Sequence, residues 1–154
     1  MKLLFVCTGN TCRSPMAAAI ARRLIAERGL QDVTASSAGS GATDGAGASD
    51  GALLVAMEQG LDLASHRSRA LTRDIVADAD LILVMGGGHL ERVRQLGGAD
   101  KAHLLPDYAA AADSGRQISD PFGADLTVYR ATFAELEAEI ARALDRLVAE
   151  RGGR

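Results

Sequence analysis

The chain has 154 residues and a weakly acidic net charge of −3, from 17 lysines and arginines against 20 aspartates and glutamates. That length suits a single domain, residues 1–154, with one hydrophobic core. The charge argues against a nucleic-acid partner, whose contact surface would be basic, and the longest apolar runs are too short to span a membrane. Because two cysteines make no disulfide framework and no Cys/His cluster has metal-ligand spacing, we expect neither a metal nor another cofactor.

The first predicted element is a strand over residues 2–6, an apolar run with strand-like composition. Behind it, Met16, Ile20 and Leu24 recur at helical spacing, so residues 7–15 are predicted to form a strand-to-helix turn. At such a turn the free backbone N–H groups and the helix dipole favour a bound anion. Polar residues end the apolar run too early for a secretory signal, so we expect a cytoplasmic protein.

The turn has the sequence CTGNTCRSP, in which a cysteine and an arginine bracket five residues. Cys7 would lie at the base of the anion nest, where the positive field holds its sulfur as thiolate. Arg13 offers a planar fork that matches two phosphoryl oxygens, and Ser14 either caps the helix or donates a hydrogen bond to the thiolate. The turn therefore indicates a phosphorylated substrate.

This nine-residue stretch resembles the active-site loop of the low-molecular-weight protein tyrosine phosphatases, and in particular of their bacterial protein arginine phosphatase branch. Cys-x5-Arg alone is a weak motif, but the other positions of the stretch match as well. The resemblance implies a low-molecular-weight phosphatase domain over residues 1–154, with Cys7 and Arg13 as catalytic residues. It also implies that the phosphate is bound, and the loop supported, by Thr8, Gly9, Asn10, Thr11, Cys12 and Ser14.

Helical spacing and capping residues predict five helices along the chain. They run from Ser14 or Pro15 to Arg28, from Ser49 or Asp50 to Gly60, from Thr72 to Ala79, from Leu90 to Leu96 and from Tyr129 to Leu147. The predicted strands cover residues 2–6, 33–37, 81–85 and 101–105. Gly86–Gly88 is interpreted as a strand-to-helix turn that needs glycine conformations, and residues 106–119 as a long connection without periodicity.

Strands that alternate with helices predict an α/β fold, a three-layer sandwich around a central four-stranded parallel sheet, doubly wound and flavodoxin-like as in the resembled family. In such a fold ligands bind at the carboxyl ends of the strands. The second strand ends in Ser37-Ala38-Gly39, and by resemblance Ser37 hydrogen-bonds the side chain of Asn10. An ordinary strand end followed by a glycine-rich turn explains Ser37 almost as well.

Asp120-Pro121-Phe122-Gly123 follows the long connection and is the second functional stretch. Taken alone, Asp-Pro is ordinary turn chemistry. The resembled family places its general acid at the aspartate of an Asp-Pro-aromatic stretch, so Asp120 is expected to protonate the leaving group and then to activate water. Cys7 would attack phosphorus and form a thiophosphoryl enzyme without a metal.

Two residues each have two interpretations. Cys12 either captures an oxidised Cys7 as a reversible disulfide or is a small side chain packed behind the loop. His66 lies in a stretch that resembles the family's His-x-(Ser/Ala)-Arg connection. We interpret it as a structural residue of that connection, with ordering of the loop as the alternative.

The choice of substrate depends on Thr11 and on Phe122-Gly123. Tyrosine-directed members of the family carry a bulkier aliphatic residue at the position of Thr11 and two successive aromatics at the position of Phe122-Gly123. A threonine and a single aromatic resemble the arginine-directed branch, so Thr11 and Phe122 are predicted to line a pocket for phosphoarginine. The sequence departs from that branch at Ala18 and Ala124, where glutamate and glycine are common.

Three functions are alternatives to the hydrolysis of phosphoarginine. A phosphotyrosine phosphatase is the close alternative. A thioredoxin-coupled arsenate reductase would need a further downstream cysteine pair, and no cysteine follows Cys12. A phosphate-carrying or phosphate-binding module would have no use for a hydrolytic acid at Asp120. The expected partners are phosphorylated proteins, and the expected state is a monomer.

Overall fold

A computed structural model describes residues 1–152, which form four strands and six helices. The strands are β1 (Lys2–Cys7), β2 (Thr34–Gly39), β3 (Leu81–Val84) and β4 (Ala102–Leu104). The helices are α1 (Arg13–Glu27), α2 (Asp50–Glu58), α3 (Arg73–Asp78), α4 (Gly87–Gln95), α5 (Leu105–Ala110) and α6 (Leu126–Gly152). All the strands pair in parallel, in the order β2-β1-β3-β4. The predicted α/β class with a four-stranded parallel sheet is confirmed.

Both faces of the sheet are covered by helices. Leu3 and Phe5 of β1 pack with residues of α1, α2, α5 and α6 on one face, whereas Leu4 and Val6 pack with residues of α3 and α4 on the other. Successive residues of a strand point to opposite faces, so both sides of β1 are buried. This double burial explains why β1 and β3 are continuous apolar runs rather than alternating ones.

The predicted loop over residues 106–119 contains a short helix, so that interpretation is wrong in part. Helix α5 begins at Leu105, directly after β4, and carries Pro106 in its first turn, where proline is tolerated. Tyr108 anchors the helix in the core. Six residues span too few turns to show a helical period, which is why the sequence pattern does not reveal this element.

The three glycines after β3 do not adopt glycine-specific conformations, so the reason predicted for them is wrong. None has a positive φ, and Gly87 and Gly88 belong to helix α4. Gly86 precedes the helix with an extended backbone. A Cβ on Gly86 would lie 2.6 Å from Gln117 Oε1, so this glycine leaves room for a neighbouring side chain.

The carboxyl ends of the strands meet at one edge of the sheet. Cys7 at the end of β1 pairs with Gly39 at the end of β2, and the connection from β3 to α4 leaves the sheet at the same edge. Residues 8–12 connect β1 to α1 at this edge. Within residues 1–152, no helix combines the length and the apolar character that a bilayer crossing requires.

Candidate active site

Asn10 is the fixed point of the loop between β1 and α1. It is fully buried and has a left-handed backbone, with φ of 57°. Its Nδ2 donates to Ser14 Oγ at 2.8 Å and to Ser37 Oγ at 2.9 Å. Its Oδ1 accepts the backbone N–H of Arg69 at 2.9 Å. The predicted hydrogen bond between Asn10 and Ser37 is present, and three separate segments hold the left-handed residue in place.

Two further contacts hold the loop from behind. His66 Nε2 lies 2.7 Å from the carbonyl oxygen of Asn10. This contact favours ordering of the loop by His66 over a role confined to its own connection. A Cβ on Gly39 would lie 2.5 Å from Thr8 O and 2.9 Å from Asn10 N, so only glycine lets the end of β2 approach the loop so closely.

Cys7 and Ser14 are hydrogen-bonded beneath the loop. Cys7 Sγ lies 2.9 Å from Ser14 Oγ, and both residues are buried. Because the Ser14 oxygen accepts from Asn10 Nδ2, its own hydroxyl proton is available to the sulfur. Ser14 lies inside α1, whose N-cap residue is Cys12, so the alternative that Ser14 caps the helix is wrong.

Arg13 is held at the site with part of its guanidinium unpaired. The residue is 6% exposed, and its Nη1 donates to the carbonyl oxygen of Ile118 at 2.8 Å. Its Nη2 lies 3.6 Å from Asp120 Oδ2. Its Nε is buried and has no hydrogen-bond partner among residues 1–152. A buried donor without a partner is costly, so this nitrogen indicates a place for an anion's oxygen.

Asp120 lies at the mouth of the site. Its Oδ1 accepts the backbone N–H of Phe122 at 3.0 Å, which closes a turn over Pro121. Gly123 then has φ of +79°, a conformation in which any side chain would be strained. The Phe122 residue is 71% exposed and forms the outer wall of the opening.

The structure brings the predicted catalytic and pocket residues together around one cleft of about 250 Å³. Its lining consists of Cys7, Thr8, Gly9, Thr11, Cys12, Arg13, Asp120 and Phe122. Asn10, Ser14 and Ser37 are buried at the loop rather than part of this lining. Larger grooves of about 450 and 480 Å³ lie against β2, and neither contains a cysteine. Among residues 1–152, no group of three or more His, Cys, Asp or Glu side chains could hold a metal ion.

The segment that leads to Asp120 is anchored at several points. The buried Asp107 of α5 accepts hydrogen bonds from Ser114 N, Ser114 Oγ and Gly115 N, at 3.1, 2.7 and 3.2 Å. The backbone N–H of Ile118 donates to Met85 O at 2.9 Å, at the end of β3. These bonds fix the approach of the acid to the cleft.

Cys12 packs behind the loop as one of its two interpretations predicts. Its sulfur lies 3.2 Å from Ser49 Oγ and 3.4 Å from Tyr129 OH. Burial first, and the contact with Cys12 second, raise the pKa of Tyr129. A Cβ on Gly51 would lie 2.5 Å from the Tyr129 ring, so this glycine admits the ring. Both cysteines are free thiols.

His89 is a site residue that the sequence analysis did not single out. Its Nε2 lies 2.8 Å from Thr8 Oγ1, and the residue is 8% exposed. Burial first, and Arg13 second, lower the pKa of His89 to about 4, against an opposing effect of Asp120. One signal was available in the sequence. His89 follows β3 by a few residues, and the carboxyl end of a central strand is where such a fold binds ligands.

The sequence patterns predict only a capped helix start at Ser49 and the beginning of the last helix at Tyr129. The cap is present, since Ser49 Oγ accepts the backbone N–H of Ala52 at 3.4 Å. The same two side chains also reach Cys12 from 37 and 117 positions away along the chain. No local pattern marks contacts of that range.

Comparison with known proteins finds relatives along almost the whole chain. The sequence model of the family described as low molecular weight phosphotyrosine protein phosphatase matches residues 2–152. The protein-arginine-phosphatase of Geobacillus stearothermophilus is 40% identical to this chain, and the match covers 97% of this chain and 97% of that protein. The low molecular weight protein-tyrosine-phosphatase PtpB of Staphylococcus haemolyticus is 36% identical, and the match covers 88% of this chain and 92% of that protein.

A solved structure is similar over nearly the whole length. It is described as the YwlE arginine phosphatase, C7S mutant with a phosphorylated active site serine. Its TM-score is 0.87 at 36% identity, and the match covers 97% of this chain and 96% of the other. In that protein, therefore, the residue that replaces the active-site cysteine carries a phosphoryl group.

Proposed function

The chain belongs to the low-molecular-weight phosphotyrosine protein phosphatase family, and from this premise we propose that it is a cysteine-dependent protein phosphatase that hydrolyses phosphoarginine side chains. The observation that carries the proposal is the convergence of Cys7, Arg13 and Asp120 on one cleft, with a buried Arg13 nitrogen left without a partner. The phosphorylated relative supports a nucleophile at the cysteine position.

In the first step the Cys7 thiolate attacks phosphorus in line with the leaving group. The Sγ–P bond forms while the P–N bond of phosphoarginine breaks, and the leaving nitrogen takes a proton from Asp120. The Ser14 hydroxyl stabilises the thiolate through the 2.9 Å contact. Arg13 and the loop N–H groups stabilise the negative charge on the three non-bridging oxygens.

In the second step water hydrolyses the thiophosphoryl enzyme. Asp120 is now a carboxylate and takes a proton from the water as its oxygen attacks phosphorus. The S–P bond breaks, which returns the thiolate and releases phosphate. No residue in this sequence of steps needs a metal ion.

The arginine substrate is favoured by the walls of the cleft. Thr11 contributes a hydroxyl where an aliphatic side chain would suit a phenol ring. Phe122 is the one aromatic wall, because the left-handed Gly123 beside it could carry a second aromatic only with strain. A guanidinium would find acceptors at Thr11 and at Asp120.

A phosphotyrosine phosphatase is the second candidate function. The tyrosine-directed relative PtpB also aligns with most of this chain. The same nucleophile, arginine and acid would serve a phenol leaving group, so the chemistry alone does not separate the two substrates. The partners in either case are phosphorylated proteins. A monomeric state and a cytoplasmic location belong to the proposal as well.

The deciding experiment measures kcat/KM on one peptide sequence that carries either phosphoarginine or phosphotyrosine. We expect the phosphoarginine peptide to be the better substrate. A higher kcat/KM on phosphotyrosine would overturn the arginine assignment and leave the phosphatase assignment standing. Binding of phosphate without turnover of either peptide would overturn the phosphatase assignment itself.

A further inference from the structure

Gln117 lies three residues before Asp120 and joins the segment that carries the acid to the start of helix α4. Its Oε1 accepts the backbone N–H of Gly87, the first residue of α4, at 2.8 Å. A backbone N–H can only donate, so the contact itself sets the direction of this hydrogen bond. The first N–H groups of a helix have no partner within it, and Gly86 at the N-cap has no side chain to supply one. Gln117 therefore caps α4 from 30 positions away along the chain.

The space that the Gln117 carboxamide occupies depends on Gly86. A Cβ on Gly86 would lie 2.6 Å from Gln117 Oε1, which is too close, whereas its nearest atom outside Gln117 is His89 Nδ1 at an ordinary 3.6 Å. The backbone of Gly86 is extended, with φ of −156° and ψ of 169°, so an alanine fits the local conformation. Gly86→Ala would thus displace the flexible end of the Gln117 side chain and leave the other neighbours in place.

Ile118, the next residue, anchors the same segment to the core. Its side chain is buried, its N–H donates to Met85 O at 2.9 Å, and its carbonyl oxygen accepts from Arg13 Nη1 at 2.8 Å. These contacts fix the position of one residue. The bond from Gly87 to Gln117 adds a second fixed point, and two fixed points set the direction in which the chain continues toward the acid.

Asp120 depends on that direction because little else holds its carboxylate. The side chain is 50% exposed, and its Oδ1 is bonded to Phe122 within the same turn. Among residues 1–152, its only hydrogen-bond or ion-pair partner outside the turn is Arg13, at 3.6 Å. A general acid has to come within about 2.6–3.2 Å of the atom that it protonates, so a small displacement of the turn weakens the proton transfer.

We propose that Gln117 is a positioning residue, which caps α4 and thereby holds the Asp120 turn where its carboxyl group reaches the leaving atom. Gln117 is exposed and does not line the cleft, so it acts through Asp120 rather than on the substrate. This inference rests on the proposed function, in which Asp120 is the general acid, and adds to it the side chain that places the acid.

The first test breaks the contact from both of its sides. Gln117→Ala removes the acceptor, and Gly86→Ala displaces it. The measurement is kcat/KM on a phosphoarginine peptide and on an aryl phosphate with an acidic leaving group, which departs without a proton. In both variants the ratio of the first value to the second should fall by roughly two- to tenfold, the usual contribution of one neutral hydrogen bond. An unchanged ratio, or an equal loss on both substrates, would overturn the inference.

The matched control is Gly88→Ala, in the same turn of α4 as the contact. A Cβ on Gly88 would have no neighbour within 4 Å, so this variant should keep the wild-type ratio. Gln117→Glu is the conservative variant. Its carboxylate still accepts the Gly87 N–H, and a negative charge is favourable at a helix N-terminus, so the variant should keep most of the ratio.

The second test repeats Gln117→Ala in the Asp120→Asn background. A residue that acts through Asp120 should have no further effect on the ratio once the acid is gone. The same fall in both backgrounds would overturn the inference, because Gln117 would then act independently of the acid.

The proposed function is tested separately by Asp120→Asn alone. If this single variant leaves the ratio unchanged, the acid assignment of the proposed function fails, and the inference fails with it. If Asp120→Asn lowers the ratio but Gln117→Ala does not, only the inference is overturned. If the wild-type protein hydrolyses phosphotyrosine rather than phosphoarginine, the phosphotyrosine peptide serves as the substrate that needs a proton, and the same outcomes apply.

Discussion

Ser14 Oγ donates toward Cys7 Sγ across 2.9 Å, and the direction of this hydrogen bond is set by Asn10, whose amide donates to the same oxygen at 2.8 Å. The left-handed residue that shapes the loop is thus also the residue that orients the donor to the nucleophile. Loop geometry and nucleophile activation depend on one side chain.

Ser14→Ala should lower kcat/KM without unfolding the protein, because it removes the only side-chain hydroxyl that contacts the Cys7 sulfur among residues 1–152. Hydrogen bonds to a charged group contribute roughly 1.5–3 kcal/mol, so we expect a loss of about ten- to a hundredfold. Ser65→Ala, at an exposed serine, is the matched control. Steady-state kinetics that match for both variants would show that the thiolate does not need this donor.

Asp120→Asn should reduce the rate by roughly 10²–10⁴, the usual contribution of general acid–base catalysis. The loss should be smallest for aryl phosphates with acidic leaving groups, because these depart without a proton. The measurement is kcat/KM across a series of leaving groups. A loss that is the same for every member of the series would assign the general acid to another residue.

Thr11→Ile should shift the preference from phosphoarginine toward phosphotyrosine. The substitution replaces a hydroxyl in the cleft lining by an aliphatic surface that suits a phenol ring. Since one aromatic contact is worth roughly 0.5–1.5 kcal/mol, the ratio of the two kcat/KM values should move several-fold to tenfold. An unmoved ratio would remove Thr11 from the specificity pocket.

His89 should make the protein less stable as the pH falls from 6.5 to 4. The pKa of His89 is about 4 in the folded protein and 6.5 ordinarily, so between these values the unfolded chain binds a proton that the folded protein excludes. The free energy of unfolding therefore decreases as the pH is lowered through this window, by up to about 3 kcal/mol. Denaturant titrations of the wild type and His89→Gln measure the difference. Parallel pH curves for the two proteins would mean that folding does not change the pKa of His89.

The parts of the site that sequence predicts are those with a local signature. Cys7 and Arg13 fall within seven residues, and Asp120 is marked by the Asp-Pro-Phe-Gly turn. Their convergence follows from the parallel sheet, whose strand ends lie at one edge. Local pattern was sufficient because Cys7 lies at a strand end, Arg13 at a helix start and Asp120 on a turn.

The parts that sequence does not predict depend on contacts between distant segments. His89 contacts Thr8 from 81 positions away along the chain, and no sequence motif links the two residues. Helix α5 was missed because six residues carry too little periodicity. The sequence predicts glycine-specific backbone conformations at residues 86–88. In the structure Gly86 instead makes room for the side chain of Gln117, a contact that only the folded packing reveals.

The most direct test of covalent catalysis is to quench the Asp120→Asn variant during turnover of an aryl phosphate with an acidic leaving group and to locate the bound phosphoryl group by peptide mass spectrometry. Such a leaving group departs without a proton, whereas the carboxylate that activates water is absent from this variant, so the intermediate should accumulate. We predict one phosphoryl group on the peptide that contains Cys7, and none when Cys7→Ala is added. A phosphoryl group on any other residue, or turnover that persists without Cys7, would contradict the mechanism.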